Sequence, residues 1–166
     1  MRGYNDISRS TSACVHFVDA EEVELEDSDC FEEARHAGCQ IVYVDCLRFL
    51  HEPWLIPSEI GNHAKTDHPP YHEGSNANLV RWLDDLISLA HSTPGLVMVL
   101  DNAGELFSVH RKFATDLIEA FLIQFHHWLE RGKPCHLCFQ MSPSPVLRNV
   151  MALEADEPRP TGELQP

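Results

Sequence analysis

The order of the apolar segments is the sequence feature that most constrains the fold. The runs IVYVD at 41–45 and LVMVL at 96–100 are rich in β-branched residues and predict two buried strands. The apolar run CHLCFQM at 135–141 predicts a third strand. Between the strands, residues 78–90 and 112–130 have the periodicity of amphipathic helices. This alternation indicates an α/β fold in which helices pack, through right-handed crossovers, on a small, mainly parallel, three-stranded sheet.

Each of the two long helical segments carries an apolar stripe that we expect to face the sheet. The stripe of the first segment is Leu79, Trp82, Leu83, Leu86, Ile87 and Ala90. Asp84 and Asp85 lie mostly off this stripe, so both are expected to project from the helix. The stripe of the second segment is Phe113, Leu117, Ile118, Phe121, Leu122, Phe125, Trp128 and Leu129. Phe121 is therefore predicted to lie in the core.

The two ends of the chain differ in composition from its middle. Residues 1–38 are predicted to form an acidic, partly disordered extension, because residues 19–33 contain nine acidic residues and no basic one. A short helix at 28–36 is expected within it. Residues 39–150 are predicted to form the α/β domain. Residues 151–166, rich in proline and glutamate, are expected to be a disordered tail.

The balance of charge excludes one class of partner. The 166 residues include 12 Lys and Arg against 26 Asp and Glu, which gives a formal net charge of −14. Phosphate backbones repel such a chain, so we expect no direct binding to nucleic acid. The same charge speeds the encounter with a basic protein, which is the kind of partner that we expect.

The sequence also indicates a compartment. The N-terminal residues lack the apolar core of a signal peptide. The longest apolar run, at 96–100, is too short to cross a bilayer, so no membrane association is expected. The six cysteines fall mostly within apolar patterns, which is typical of buried, reduced thiols. These features predict a cytoplasmic protein.

One strand resembles the Walker B segment of nucleotide hydrolases. In LVMVLDNAGE, Asp101 follows an apolar run at the point where such a hydrolase holds Mg²⁺. The phosphate-binding sequence GxxxxGK[ST] does not occur in the chain, so nucleotide hydrolysis is not expected. An inactive or partial domain related to the P-loop NTPases stays open as the alternative function.

A zinc site and a cysteine nucleophile are the other chemistries to weigh. Cys135 and Cys138 have the C-x₂-C spacing of zinc ligands, and His126 and His127 lie just upstream. Residues three apart on a strand point to opposite faces, however, so the two thiols are not expected to share a metal. No cysteine lies in a nucleophile motif. We therefore predict no metal, no cofactor and no enzymatic activity.

The turn before the first long helix is polar and aromatic. Its sequence, YHEGSNAN, begins at Tyr71 and leads directly into Leu79, after which Asp84 and Asp85 follow on the helix. A tyrosine- and glycine-bearing loop joined to an acidic helix is suited to filling a basic cleft. The alternative interpretation is an ordinary solvated face, with Asn78 as the helix cap.

These segments resemble the barstar family of small acidic inhibitors of barnase-type ribonucleases. That family reads as a strand, a helix, the pattern Y-x-G-x-N-L-D-A-L-x-D-C-L, a strand, a long helix and a last strand. IVYVDCLRF resembles the first strand, YHEGSNANLVRWLDDL the patterned helix, and GLVMVLDNAGELF the second strand with its short helix. FATDLIEAFLIQFHHWLERGKPCHLCFQMSPSP resembles the final helix, turn and strand. The likeness covers roughly residues 40–146.

The resemblance implies an immunity-type inhibitor that occludes the basic active site of a nuclease or other toxin. Asp84 matches the family aspartate that takes the place of a substrate phosphate in that active site. Val80 and Arg81 stand where the family has an acid and a small alanine. The residues expected to bind the partner are Tyr71, Gly74, Asn76, Asn78, Asp84 and Asp85. Of the two aspartates, Asp84 is expected to be buried by the partner and Asp85 to stay at the solvated rim.

Overall fold

The structure, a computed structural model, describes residues 14–18, 29–64 and 77–141. Over these ranges the chain forms a four-stranded sheet and five α-helices. The strands are β1 (Val15–Val18), β2 (Gln40–Asp45), β3 (Leu96–Asp101) and β4 (Cys135–Gln140). The helices are α1 (Asp29–His36), α2 (Ile56–His63), α3 (Ala77–Ser92), α4 (Ala103–Val109) and α5 (Arg111–Glu130). The predicted α/β class is confirmed.

The strand order decides on which face each helix lies. The order is β1-β4-β3-β2, and all three neighbouring pairs are parallel. The chain steps across the sheet in one direction from β2 to β3 to β4, but crosses in the opposite direction from β1 to β2. Right-handed connections therefore place α1 on one face of the sheet and the helices α2 to α5 on the other.

The two hydrophobic cores follow this division. On the α1 face, Phe31 and Ala34 pack with Val97, Val99 and Cys138. The opposite face forms the larger core, to which α2, α3, α4 and α5 all contribute. Its largest fully buried side chains on the long helices are Trp82, Trp128 and Phe121. The prediction that Phe121 is a core residue is confirmed.

The sheet has four strands rather than the three predicted. The additional strand, β1, lies within residues 1–38, which were expected to be an acidic extension. It pairs with β4, where the Leu137 amide donates to the Cys14 carbonyl over 2.8 Å and the Met141 amide to the Val18 carbonyl over 2.9 Å. Four residues beside an acidic block give too short a pattern to identify a strand. The sheet therefore begins before residue 39.

Candidate functional site

Helix α3 presents its apolar side to the core. Trp82, Leu86, Leu89 and Ala90 are buried, and the helix packs against α2 and α5. Asp85 lies three positions after Trp82 and four before Leu89, which is on the same side of a helix. Its exposure is accordingly only 1%. The expectation that Asp85 projects from the helix and stays at a solvated rim is therefore wrong.

Asp84 lies on the outer side of α3 and is exposed. Arg81, half-buried, comes three positions earlier, and exposed Ser88 comes four positions later, so both lie on the same side of the helix as Asp84. The buried residues on the inner side fix the position of the helix. Asp84 is thus a surface carboxylate on a packed helix, and the expectation that it projects from the helix is confirmed.

The other four expected partner-binding residues come before α3 or belong to its first turn. Tyr71, Gly74 and Asn76 lie outside the described residues. Asn78 belongs to the first turn of α3, but its side chain is not among those described. Of the six residues expected at the site, the structure thus places the side chains of Asp84 and Asp85, one outside and one inside.

A polar cluster at the carboxyl ends of the strands was largely missed by sequence analysis. One oxygen of Asp45, Oδ1, accepts hydrogen bonds from the Leu47 amide and from Asn102 Nδ2, each over 3.0 Å. The Asn102 amide donates to Gln140 Oε1 over 3.1 Å. Asn102 itself has a φ of 53°, a left-handed conformation that asparagine tolerates better than most residues. These bonds hold the loops after β2 and β3 to the end of β4.

Asp101 ends β3 as the Walker B-like pattern predicted. It is only 4% exposed, so little of its carboxylate is open to a nucleotide-bound Mg²⁺. Burial, and then the nearby carboxylates of Asp45 and Asp101, raise the pKa of the Cys46 thiol to about 12. The position of Asp101 therefore adds no support to the NTPase-like alternative.

A pair of histidines joins β1 to β4. His16 Nε2 and His136 Nδ1 are 3.0 Å apart, and His136 is 1% exposed. Burial, and then the charge of His136, lower the pKa of His16 to about 4. Such a hydrogen bond requires one ring nitrogen to donate and the other to accept. With a pKa of about 4, the His16 ring is uncharged at neutral pH. The pair is not predictable from local sequence, because the four residues of β1 are too few to give a strand pattern.

The cysteines lie as the strand periodicity predicted. Cys135 belongs to the larger core and Cys138 to the core on the α1 face, so the two thiols are separated by the sheet. No disulfide joins the five cysteines whose side chains are described. Among the described residues, no three His, Cys, Asp or Glu side chains come together in a way that would hold a metal ion. A C-x₂-C zinc pair is thus not formed here.

Comparison with known proteins finds no family model and no curated protein that matches this chain. The resemblance to the barstar family therefore rests on the order and spacing of the segments quoted above. In residues 14–18, 29–64 and 77–141, no helix combines the length and the apolar character needed to span a bilayer. What the geometry offers to a partner is an exposed carboxylate on a firmly packed helix.

Proposed function

We propose that this chain is a protein-binding inhibitor of the immunity type, which occludes the basic active site of a nuclease or other toxin. The observation that carries the proposal is the position of Asp84. Its carboxylate is exposed, whereas the residues on the inner side of the same helix are buried against α2 and α5. An anion fixed on a rigid helix loses little conformational entropy when a partner binds it.

The charge of the whole chain supports the same proposal. A net charge of −14 draws a basic protein toward this surface and repels the nucleic acid that such a nuclease cleaves. Long-range attraction of this kind acts mainly on the rate of association and weakens as salt is added. The inhibitor then competes with substrate because it presents carboxylates where phosphates would bind.

In this mechanism Asp84 pairs with an arginine or lysine of the toxin. The segment that carries Tyr71, Gly74 and Asn76, together with Asn78 of α3, covers the mouth of the cleft in this proposal. Arg81 lies on the same side of α3 as Asp84. The proposed target is a basic protein whose cleft supplies the cation that pairs with Asp84.

The proposed protein uses no cofactor or metal and catalyses no reaction, and it acts in the cytoplasm, where its thiols stay reduced. The described thiols are buried, and burial raises the pKa of Cys14 to about 11, which keeps this thiol protonated and unreactive. Blocking a toxin requires only a stable complex. A binding surface that is independent of thiol or metal chemistry is sufficient for that purpose.

The proposal is tested by capture followed by an inhibition assay. The tagged full-length chain is used to isolate partners from its native host, and each captured protein is purified and assayed for nuclease activity on RNA and DNA. We expect a basic protein whose activity is lost when one equivalent of this chain is added. A partner that is acidic, or a nuclease that remains active in the complex, would contradict the proposal.

A further inference from the structure

Helix α5 exposes apolar side chains along one flank. Leu122 and Leu129 are 48% and 43% exposed, Ile118 is half-buried, and Phe125 is buried at the inner edge of the same flank. These four residues follow one another at intervals of four, three and four, which is the a and d spacing of a coiled-coil helix. We call Ile118, Leu122, Phe125 and Leu129 the α5 seam.

The exposed residues of the α5 seam, Leu122 and Leu129, lie on the flank of α5 away from α3. On the other side of α5, Arg131 Nη2 lies 3.0 Å from His91 Nε2 of α3. Lys133 Nζ, just beyond α5, donates to the Ala90 carbonyl of α3 over 2.8 Å. Arg131 is nine positions after Leu122, which at 100° per residue is half a turn around the helix axis. Helix α3 thus covers the flank opposite the α5 seam.

We propose that the α5 seam binds the α5 seam of a second copy of this chain, with the two helices antiparallel, to form a two-fold symmetric dimer. In this arrangement Leu122 lies over the inner edge of the second copy's seam, where Phe125 is buried, and Ile118 packs on the exposed Leu129 of the second copy. A symmetric dimer buries the same surface on both copies, so one exposed flank is sufficient to form it. The seam spans about 16 Å at a rise of 1.5 Å per residue.

Charge complementarity selects the second copy and the antiparallel direction. Glu119 and His126 are exposed, lie seven positions apart and border the outer edge of the α5 seam. In an antiparallel pair, residues on this edge face each other across the two-fold axis. Glu119 of each copy then faces His126 of the other copy, which gives two equivalent contacts. In a parallel pair they would face the inner edge, where Phe121 and Trp128 are buried in the core.

The hydrogen bonding of His126 suits this contact. Its Nδ1 lies 2.6 Å from the Ile123 carbonyl, to which it donates as an N–H. Nε2 is the ring nitrogen left for the Glu119 carboxylate of the second copy, to which it donates when the ring carries both protons. The dimer leaves Asp84 accessible, because α3 lies on the opposite flank of α5. This inference therefore does not depend on the proposed inhibitory function.

The test is sedimentation equilibrium of the full-length chain at slightly acidic pH, over micromolar to millimolar concentrations. The first comparison is Leu122→Ser with Ile123→Ser. Both side chains are exposed, at 48% and 59%, but Ile123 lies outside the α5 seam. We expect wild type and Ile123→Ser to dimerise equally, and Leu122→Ser to weaken the dimer by about tenfold or more, since an apolar anchor is lost from both copies. Circular dichroism checks that each variant is folded.

A charge exchange tests the antiparallel pairing. Glu119→Arg places two cations opposite each other, and His126→Glu places two anions opposite each other, so each variant alone should dimerise more weakly than wild type. An equimolar mixture of the two variants should restore the dimer, because the introduced arginine faces the introduced glutamate.

Four results would overturn the proposal. The first is a wild-type chain that is monomeric at all concentrations. The second and third are that Leu122→Ser and Ile123→Ser weaken the dimer equally, or that Leu122→Ser leaves it intact. The fourth is that the mixture of the two charge variants does not restore the dimer. In one form of the first result, a chain truncated after Met141 dimerises while the full chain stays monomeric. That result would mean that residues 142–166 cover the seam.

Discussion

Asp84 and Asp85 are neighbours on α3, yet Asp84 is exposed whereas Asp85 retains 1% of its accessible surface. The difference arises because Asp85 shares the side of the helix that carries Trp82 and Leu89. A carboxylate is buried in a core only where hydrogen bonds or charges compensate its lost hydration. Asp85 therefore has a structural role, and Asp84 is the aspartate of this pair that a partner can reach.

The two aspartates should differ in their effect on stability. Asp84→Ala is expected to change the free energy of unfolding by no more than about 0.5 kcal/mol, as is usual for a surface substitution. Asp85→Ala is expected to lower it by about 1–3 kcal/mol, because the interaction that Asp85 makes inside the protein is lost. Urea denaturation of both variants measures this. Equal effects would mean that both carboxylates have the same environment.

The core position of Phe121 predicts a larger loss. This side chain is fully buried, so Phe121→Ala should lower the free energy of unfolding by about 3–5 kcal/mol through lost burial and a residual cavity. Ile123→Ala, two positions further on the same helix, is the control because its side chain is 59% exposed. It should cost less than about 1 kcal/mol. A near-neutral Phe121→Ala would show that α5 packs with a different side against the sheet.

Gly95 lies where two loops approach each other closely. A Cβ atom at this position would come within 2.6 Å of Cys39 Sγ and 2.7 Å of Pro134 Cγ. Gly95→Ala should therefore lower the free energy of unfolding by about 1–3 kcal/mol through overpacking. The control is Gly104→Ala in α4, where the nearest atom is Met141 Cβ at 3.7 Å and alanine favours the helix. If thermal unfolding shows the two variants to be equally stable, the close packing at Gly95 is refuted.

Much of the fold can be predicted from the sequence, because the apolar periodicity that defines each strand or helix lies within a short stretch of the chain. The strands β2, β3 and β4 and the helices α1, α3 and α5 agree with the predictions to within two residues at each end. Their apolar stripes are long enough to define a period. Strand β1 was missed, since four residues are too few and its pairing with β4 joins positions about 120 apart in the chain.

Less of the candidate site than of the fold could be predicted from the sequence. The exposure of Asp84 agrees with the expectation, but Asp85 was placed on the wrong side because a charged residue was assumed to lie in solvent. The 3.6-residue period puts it next to Trp82 and Leu89, and the apolar majority of that side decides its burial. The pair of His16 and His136 depends on strand pairing alone, which no local pattern contains.

The histidine pair predicts a pH dependence of stability. The folded pKa of His16 is about 4, below the ordinary value of 6.5, so between these values the unfolded chain binds more protons than the folded one. Stability due to His16 is therefore fully present above about pH 6.5 and is lost as the pH falls toward 4. The slope contributed is at most about 1.4 kcal/mol per pH unit.

Urea denaturation near neutral pH and about two pH units below it tests this dependence. The groups beside His16 on β4 are His136 and Cys138. His16→Gln should reduce the loss of stability on acidification, because glutamine keeps a hydrogen-bonding group that does not titrate. The control is His51→Gln, at an exposed position, which should lose as much stability on acidification as wild type does. If His16→Gln and wild type lose equal stability, His16 does not contribute.

The most direct test of the proposed inhibitory function measures binding of Asp84→Ala to the captured partner. The matched control is Glu33→Ala, which removes the same charge from an exposed position on α1, on the opposite face of the sheet. Association and dissociation rates of wild type and both variants are recorded over a series of salt concentrations. The two variants carry the same net charge, so any difference between them reports on contact rather than on long-range attraction.

We predict that Asp84→Ala weakens binding by about 2–5 kcal/mol, mostly through faster dissociation, because a desolvated ion pair is lost. Glu33→Ala should cost at most about 1 kcal/mol. All three association rates should fall steeply as salt increases, while the dissociation rates change little. Equal and small losses for the two variants, or an association rate that does not depend on salt, would contradict the proposal that Asp84 fills a basic active site.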